Sequence, residues 1–158
     1  MLTRLSHIWL LLRWWPWLLT RPLYRHWLRE MRDFCGRVPA MLKNPLPEAM
    51  QSLTPTENQV SGLSETEIRD LADLSALLAR RSPLGLCLRR SLVRYHYLRQ
   101  VNVPVVVQFG AKLQGARARR NLTGHAWLTL NGQPYHELGE NWQGFTVMYR
   151  YPESRLKN

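Results

Sequence analysis

The spacing of apolar residues changes once along this chain. From Leu63 to Leu98 they recur every three or four positions, as on helices; after Asn102 they alternate or run together, as on strands. The segment SETEIRDLADLSALLARR (64–81) predicts a helix. Ser64 followed by Glu67 is a capping-box pattern, and Leu63 or Ile68, Leu71, Leu74 and Leu78 form an apolar stripe, leaving the acids for a solvated face. A second helix follows in SPLGLCLRRSLVRYHYL (82–98), with Leu88, Leu92, Tyr95 and Leu98 as its core stripe and Arg89, Arg90, Arg94 and Arg99 over much of the rest. Three strands are then expected, in VPVVVQFGAKL (103–113), GHAWLTL (124–130) and QPYHELG (133–139). Asn131-Gly132 marks a hairpin between the last two. The basic stretch between the first two, with Arg117, Arg119 and Arg120, reads as an exposed loop. Helices first and an antiparallel sheet afterwards is an α+β layout.

Upstream, residues 1–43 are apolar, tryptophan-rich and interrupted by Arg13, Pro16, Arg21, Pro22 and Arg25. The run from Leu5 to Thr20 is short for a bilayer span of ~20 apolar residues and carries Arg13 in its middle. No small-residue cleavage site follows, which argues against a signal peptide. Two readings remain: a helical pair packed on the rest of the domain, which we rank first, and a helix lying at a membrane surface through residues 5–28. Residues 44–62, with three prolines, read as a linker, which leaves 63–158 as the catalytic domain.

Charge adds a constraint. Lys and Arg outnumber acids eight to two in residues 1–43 and thirteen to three in 74–158, but acids lead six to one in 44–73. The net charge of +11 should attract an acidic peptide, anionic lipid or nucleic acid, without choosing among them. The two cysteines, Cys35 and Cys87, match no metal-ligand spacing, so no metal is expected. They suit a reducing compartment, the cytoplasm, with the N-terminal segment as its candidate contact with the inner face of the membrane. No glycine-rich phosphate motif occurs, so no cofactor is expected and any nucleotide dependence would belong to a partner.

Cys87 is where chemistry enters. It follows a Pro-Gly turn at a helix start, among arginines, and both features lower a thiol's pKa. A lone cysteine is more often packing, but His125 opens a downstream strand and supplies a base. From Ala76 onward the only carboxylates are Glu137, Glu140 and Glu153. Glu137 lies on the strand paired with that of His125 and is the best candidate to orient the ring. A simple two-residue Asn-Gly loop would instead put His136 and Leu138 on the face of His125; a three-residue loop with a bulge restores Glu137. His136 and Glu140 therefore stay open as alternatives. Trp127 is a core aromatic behind the histidine or a wall of the site. Arg89, Arg90 and Arg94 are either a solvated helix face or hold an acidic peptide. His96 and Cys35 read as structural.

The run CLRRSLVRYHYLRQVNVPVVVQFGAK (87–112) followed by HAWLTLNGQPYHE (125–137) resembles the transglutaminase-like proteases that mature lasso peptides. Those proteins show Cys-Leu-x-Arg-Ser opening a helix, a later His-Ala-Trp strand with an Asp-Gly or Asn-Gly turn, and an acid about a dozen positions after the histidine. The likeness covers roughly residues 63–140. It implies a transglutaminase-like, papain-like fold and a cysteine peptidase, with Cys87 as nucleophile, His125 as general base and Glu137 in the place usually held by aspartate. Arg90 and Trp127 would line the substrate. The implied substrate is the leader of a ribosomally made precursor peptide, with a separate leader-recognition protein and a macrolactam-forming cyclase as partners. An acyl transferase using the same triad is the nearest alternative. A non-catalytic basic module binding membrane, peptide or nucleic acid ranks last, because it explains neither the cysteine nor the histidine strand.

Overall fold

The structure, a computed structural model, describes the backbone of residues 2–58, 62–114, 121–137 and 139–153; the basic loop with Arg117, Arg119 and Arg120 lies outside them. Helices α1 (Leu2–Thr20), α2 (Pro22–Met41), α3 (Leu46–Leu53), α4 (Glu65–Leu78) and α5 (Leu86–Gln100) precede strands β1 (Val106–Gln114), β2 (Asn121–Leu130) and β3 (Gln133–Pro134). A short helix α6 (Gly139–Trp142) and strand β4 (Thr146–Tyr151) follow. The four strands form one antiparallel sheet in the order β3-β2-β1-β4, so the architecture is α+β.

Each helix has a local cause. Pro22 opens α2 with its φ already helical and no amide to leave unpaired. Trp27, Met31, Phe34, Cys35 and Val38 then fall on one buried face. The capping box of α4 forms as the sequence predicts: Ser64 Oγ accepts from the Glu67 amide at 3.3 Å, and the Ser64 amide donates to Glu67 Oε2 at 2.8 Å. Behind it Ile68, Leu71, Ala72 and Leu74 enter the core. The expected linker is not extended throughout, because Leu46–Leu53 coil into α3 and bury Ala49, Met50 and Leu53. Pro45 and Pro47 flank and open that helix rather than preventing one.

Helix α5 is central. Leu92, Tyr95 and Leu98 are buried as the stripe predicts, but so are Val93 and Tyr97, because α2, α4 and β2 all pack against it. Its arginines are correspondingly not a solvated face. Arg89 Nη1 donates to the Ala79 carbonyl at 2.6 Å, and Arg94 grips both carboxylate oxygens of Asp73. The acids of α4 likewise have partners. Tyr24 donates to Glu67 and Tyr135 to Glu65, each at 2.6 Å, while Arg13 and Arg69 flank Asp70. The expected solvated acidic face therefore holds only in part: Glu65 is exposed, Glu67 and Asp73 are half-buried, and Asp70 is buried.

The third expected strand, QPYHELG, is strand only over Gln133 and Pro134, with one further bond from the Tyr135 amide to the Leu128 carbonyl, and an unforeseen strand, β4, joins the far edge beside β1. In β4 the positions are exposed or half-buried, so no apolar–polar alternation marks it, although Thr146, Val147, Tyr149 and Tyr151 are strand-favouring residues.

Candidate active site

Helix α5 begins at Leu86 with Gly85 as its cap, and the first helical bond runs from the Arg89 amide to the Gly85 carbonyl at 3.1 Å. The amides of Leu86, Cys87 and Leu88 therefore have no helical carbonyl to bond. They point the positive end of the helix at the Cys87 sulfur. No acidic residue in the first turn offsets them.

This end of α5 runs beside β2. Ser91 Oγ, one helical turn beyond Cys87, donates to the Ala126 carbonyl at 2.8 Å, and the Ala126 amide faces the Cys87 sulfur. Both polar groups of Ala126 thus turn from the sheet to the helix, which fixes His125, the preceding residue, within hydrogen-bond reach of Cys87. His125 Nε2 lies 3.5 Å from Glu137 Oε1. At that distance the Glu137 contact is an ion pair rather than a full hydrogen bond.

Glu137 reaches the ring by a route that neither expected hairpin describes. The turn is the tight two-residue one, with Asn131 and Gly132 both at positive φ, 51° and 79°. The paired strand ends at Pro134, the Tyr135 amide makes one last bond to the Leu128 carbonyl at 2.8 Å, and His136 adopts a left-handed φ of 47°. That reversal breaks the alternation of side chains and turns Glu137 toward His125. His136 faces outward to Arg69, with Nε2 2.9 Å from Nη1, and Glu140 lies exposed on α6. Glu137 is held from two further sides: Arg90 Nη2 donates to Oε1 and Oε2 at 2.9 and 2.8 Å, and Asn141 Nδ2 donates to Oε1 at 3.1 Å. Arg90, a candidate for lining the substrate, instead clamps the carboxylate.

Trp127 lies on the same face of β2 as His125, and the rings stack with centroids 5.7 Å apart and planes 15° from parallel. It is buried, a wall behind the histidine. Gly110, the residue paired with His125 across the sheet, makes room for it. A Cβ at Gly110 would stand 2.8 Å from Trp127 Cη2 and Cζ3, and 3.1 Å from Phe145 Cβ.

The electrostatics follow from these contacts. The hydrogen bond with His125 is the strongest influence on the Cys87 thiol and lowers its pKa; burial opposes it, and the Ala126 and Leu88 amides add to the lowering. His125 is raised to about 9, first by Cys87 and then by Glu137, against burial. Burial alone would raise the Glu137 carboxyl, but the contact with His125 and the charge of Arg90 outweigh it and leave it below the ordinary carboxylate value. The arrangement favours a thiolate–imidazolium pair backed by a carboxylate. Cys35 shows the contrast: wholly buried in the core, it is pushed up by burial. Among the described residues no group of three or more His, Cys, Asp or Glu is placed to hold a metal ion.

Cys87, His125 and Glu137 therefore come together, while Arg90 and Trp127 sit behind them as support. Asn141 and Gly110 were not singled out by the sequence, and Ser91 entered only as the last position of the Cys-Leu-x-Arg-Ser motif, without a role. The available signals were a serine four residues after the cysteine, an asparagine four after the glutamate, and an isolated glycine within a strand, which often marks a close approach. A family model described as the transglutaminase-like superfamily matches residues 40–150. No curated protein and no solved structure matches the chain.

Proposed function

Because the chain belongs to the transglutaminase-like superfamily, we propose that it is a cysteine peptidase that removes the leader from a ribosomally made precursor peptide of the lasso type. The observation that carries the chemistry is the Cys87 thiol at the start of α5 in hydrogen-bond contact with His125, with Glu137 behind the ring. In this reading the Cys87 thiolate attacks the scissile carbonyl and a C–S bond forms. The C–N bond then breaks as the His125 imidazolium gives its proton to the leaving amine. Water next gives one proton to His125 and attacks the thioester carbonyl; the C–S bond breaks, the acid leaves and loses its remaining proton to solvent, and the thiolate–imidazolium pair is restored. The Cys87 amide at the helix start supplies one oxyanion donor. The lasso assignment rests on Cys-Leu-x-Arg-Ser at 87–91 and His-Ala-Trp at 125–127. It brings with it a separate leader-recognition protein and a cyclase as partners.

The first test needs no substrate. Iodoacetamide alkylation of Cys87 is followed against pH by mass spectrometry in the wild type and in His125→Ala. Reaction well below the ordinary thiol value of ~8.5, moved upward in His125→Ala, is the expected result. Ordinary thiol titration in both proteins would sink the pair. Acyl transfer uses the same residues, so the product decides between the two: a free carboxylate marks the peptidase, a new amide the transferase.

A further inference from the structure

Helix α1 has two apolar faces, and the protein covers one. Leu10, Trp14 and Leu18 turn inward; Trp14 is buried, its ring edge-on to Tyr24 at 5.2 Å. On the opposite side Trp9, Leu12, Trp15 and Leu19 fall on one helical face and are 60–68% exposed, with Trp17 and Leu23 exposed beside them. A patch of large side chains this continuous is unusual on a surface that meets only water.

Cations accompany it. The Arg13 guanidinium lies 5.3 Å over the Trp9 ring, and that of Arg21 lies 4.5 Å over Trp17. Arg25 Nη1 donates to the carbonyls of Leu18 and Leu19 at 3.1 and 2.7 Å, placing a charge at the end of the strip. Tryptophan belongs where hydrocarbon meets headgroups, and arginine rests its stem on apolar surface while its charge reaches phosphate.

We propose that the outer face of α1 docks the protein on an anionic lipid surface, with the helix lying in the plane of the interface. No helix among the described residues is long and apolar enough to cross a membrane, so this contact is peripheral. Residues 1–43 carry eight Lys and Arg against two acids, which favours anionic headgroups. The same charge opposes a second copy of the chain, since two such faces would bring like charges together.

The test uses the full chain and two kinds of vesicle, phosphatidylcholine with phosphatidylglycerol and phosphatidylcholine alone. Co-flotation with the mixed vesicles and a blue shift of tryptophan emission are expected. The triple variant Leu12→Glu/Trp15→Glu/Leu19→Glu should lower partitioning by at least about tenfold, since it removes three apolar anchors and adds three anions. Unchanged alkylation of Cys87 in that variant shows that the fold survives. Absence of flotation, or flotation that the triple variant leaves intact, overturns the proposal. So does a dimer in solution that the triple variant dissociates, which would assign the face to a second copy.

Discussion

Glu137 has a side chain only 2% exposed, and it stays charged there because the contact with His125 and the charge of Arg90, whose Nη2 donates to both of its oxygens, outweigh burial. Removing that partner strands a buried carboxylate. Arg90→Met should therefore cost on the order of 2–3 kcal/mol, less than for a wholly buried pair because Arg90 is partly exposed, as chemical denaturation would show. Glu137→Gln tests a different point. The carboxylate helps to raise His125 to about 9, and the imidazolium is the acid in the proposed cleavage. Without it the His125 pKa falls, so the alkaline limb of the cleavage rate should move from about 9 to lower pH; an unmoved limb would separate Glu137 from the ring. The identities of Cys87, His125 and Glu137 were legible because a thiol at a helix start, a strand histidine and a scarcity of carboxylates narrow the choice. The role of Arg90 was not, because periodicity assigns an arginine to a face without saying what packs there.

Between elements, the site depends on how α5 is seated against β2. Ser91 satisfies the Ala126 carbonyl in a buried position, and Ser91→Ala would leave that carbonyl unpaired at about 1–3 kcal/mol. Because Ala126 also faces the sulfur, the expected result is a lower melting temperature together with slower Cys87 alkylation at neutral pH. A purely structural serine would lower only the first. Gly110→Ala acts from the far side of the histidine. Its methyl needs the space of the Trp127 ring, so Trp127 must move and His125, stacked on it, with it. Loss of activity larger than the loss of stability is expected, measured by cleavage rate beside thermal unfolding. The hairpin shows why this scale is harder to read. Asn131-Gly132 announces the turn, but the left-handed residue that redirects Glu137 is His136; histidine is enriched in that conformation, yet positive φ is uncommon for any non-glycine residue, so its identity alone does not announce the reversal.

Over the whole molecule, the division into an N-terminal segment, a linker and a catalytic domain does not describe the core. Met31, Phe34, Cys35 and Val38 of α2, with Met50 and Leu53 of α3, are part of the same buried cluster as Leu92, Tyr97 and Leu98 of α5. A chain shortened to residues 63–158 would expose that cluster, and loss of near-ultraviolet circular dichroism and of cooperative unfolding is expected for it. Retained cooperative folding would mean that the first two helices are an addition to a self-sufficient domain. Charge is organised at the same scale. The acid-rich stretch lies between two basic ones in sequence, and two of its carboxylates are paired in the fold: Asp70 with Arg13 and its own neighbour Arg69, and Asp73 with Arg94.

The sequence by itself determined the local terms. Helical and strand spacing, the Ser64 cap, the Asn-Gly turn and the order of cysteine, histidine and acid are set within a few residues of each position, where propensity and side-chain chemistry act directly. Tertiary structure decided which face of α5 is dry, which acids meet which arginines, and where the hairpin releases Glu137 to the ring. Those choices follow from burial and from pairing across long sequence separations. A buried charge takes whichever partner the packing brings to it, and one residue's spacing cannot reveal a neighbour supplied by another element.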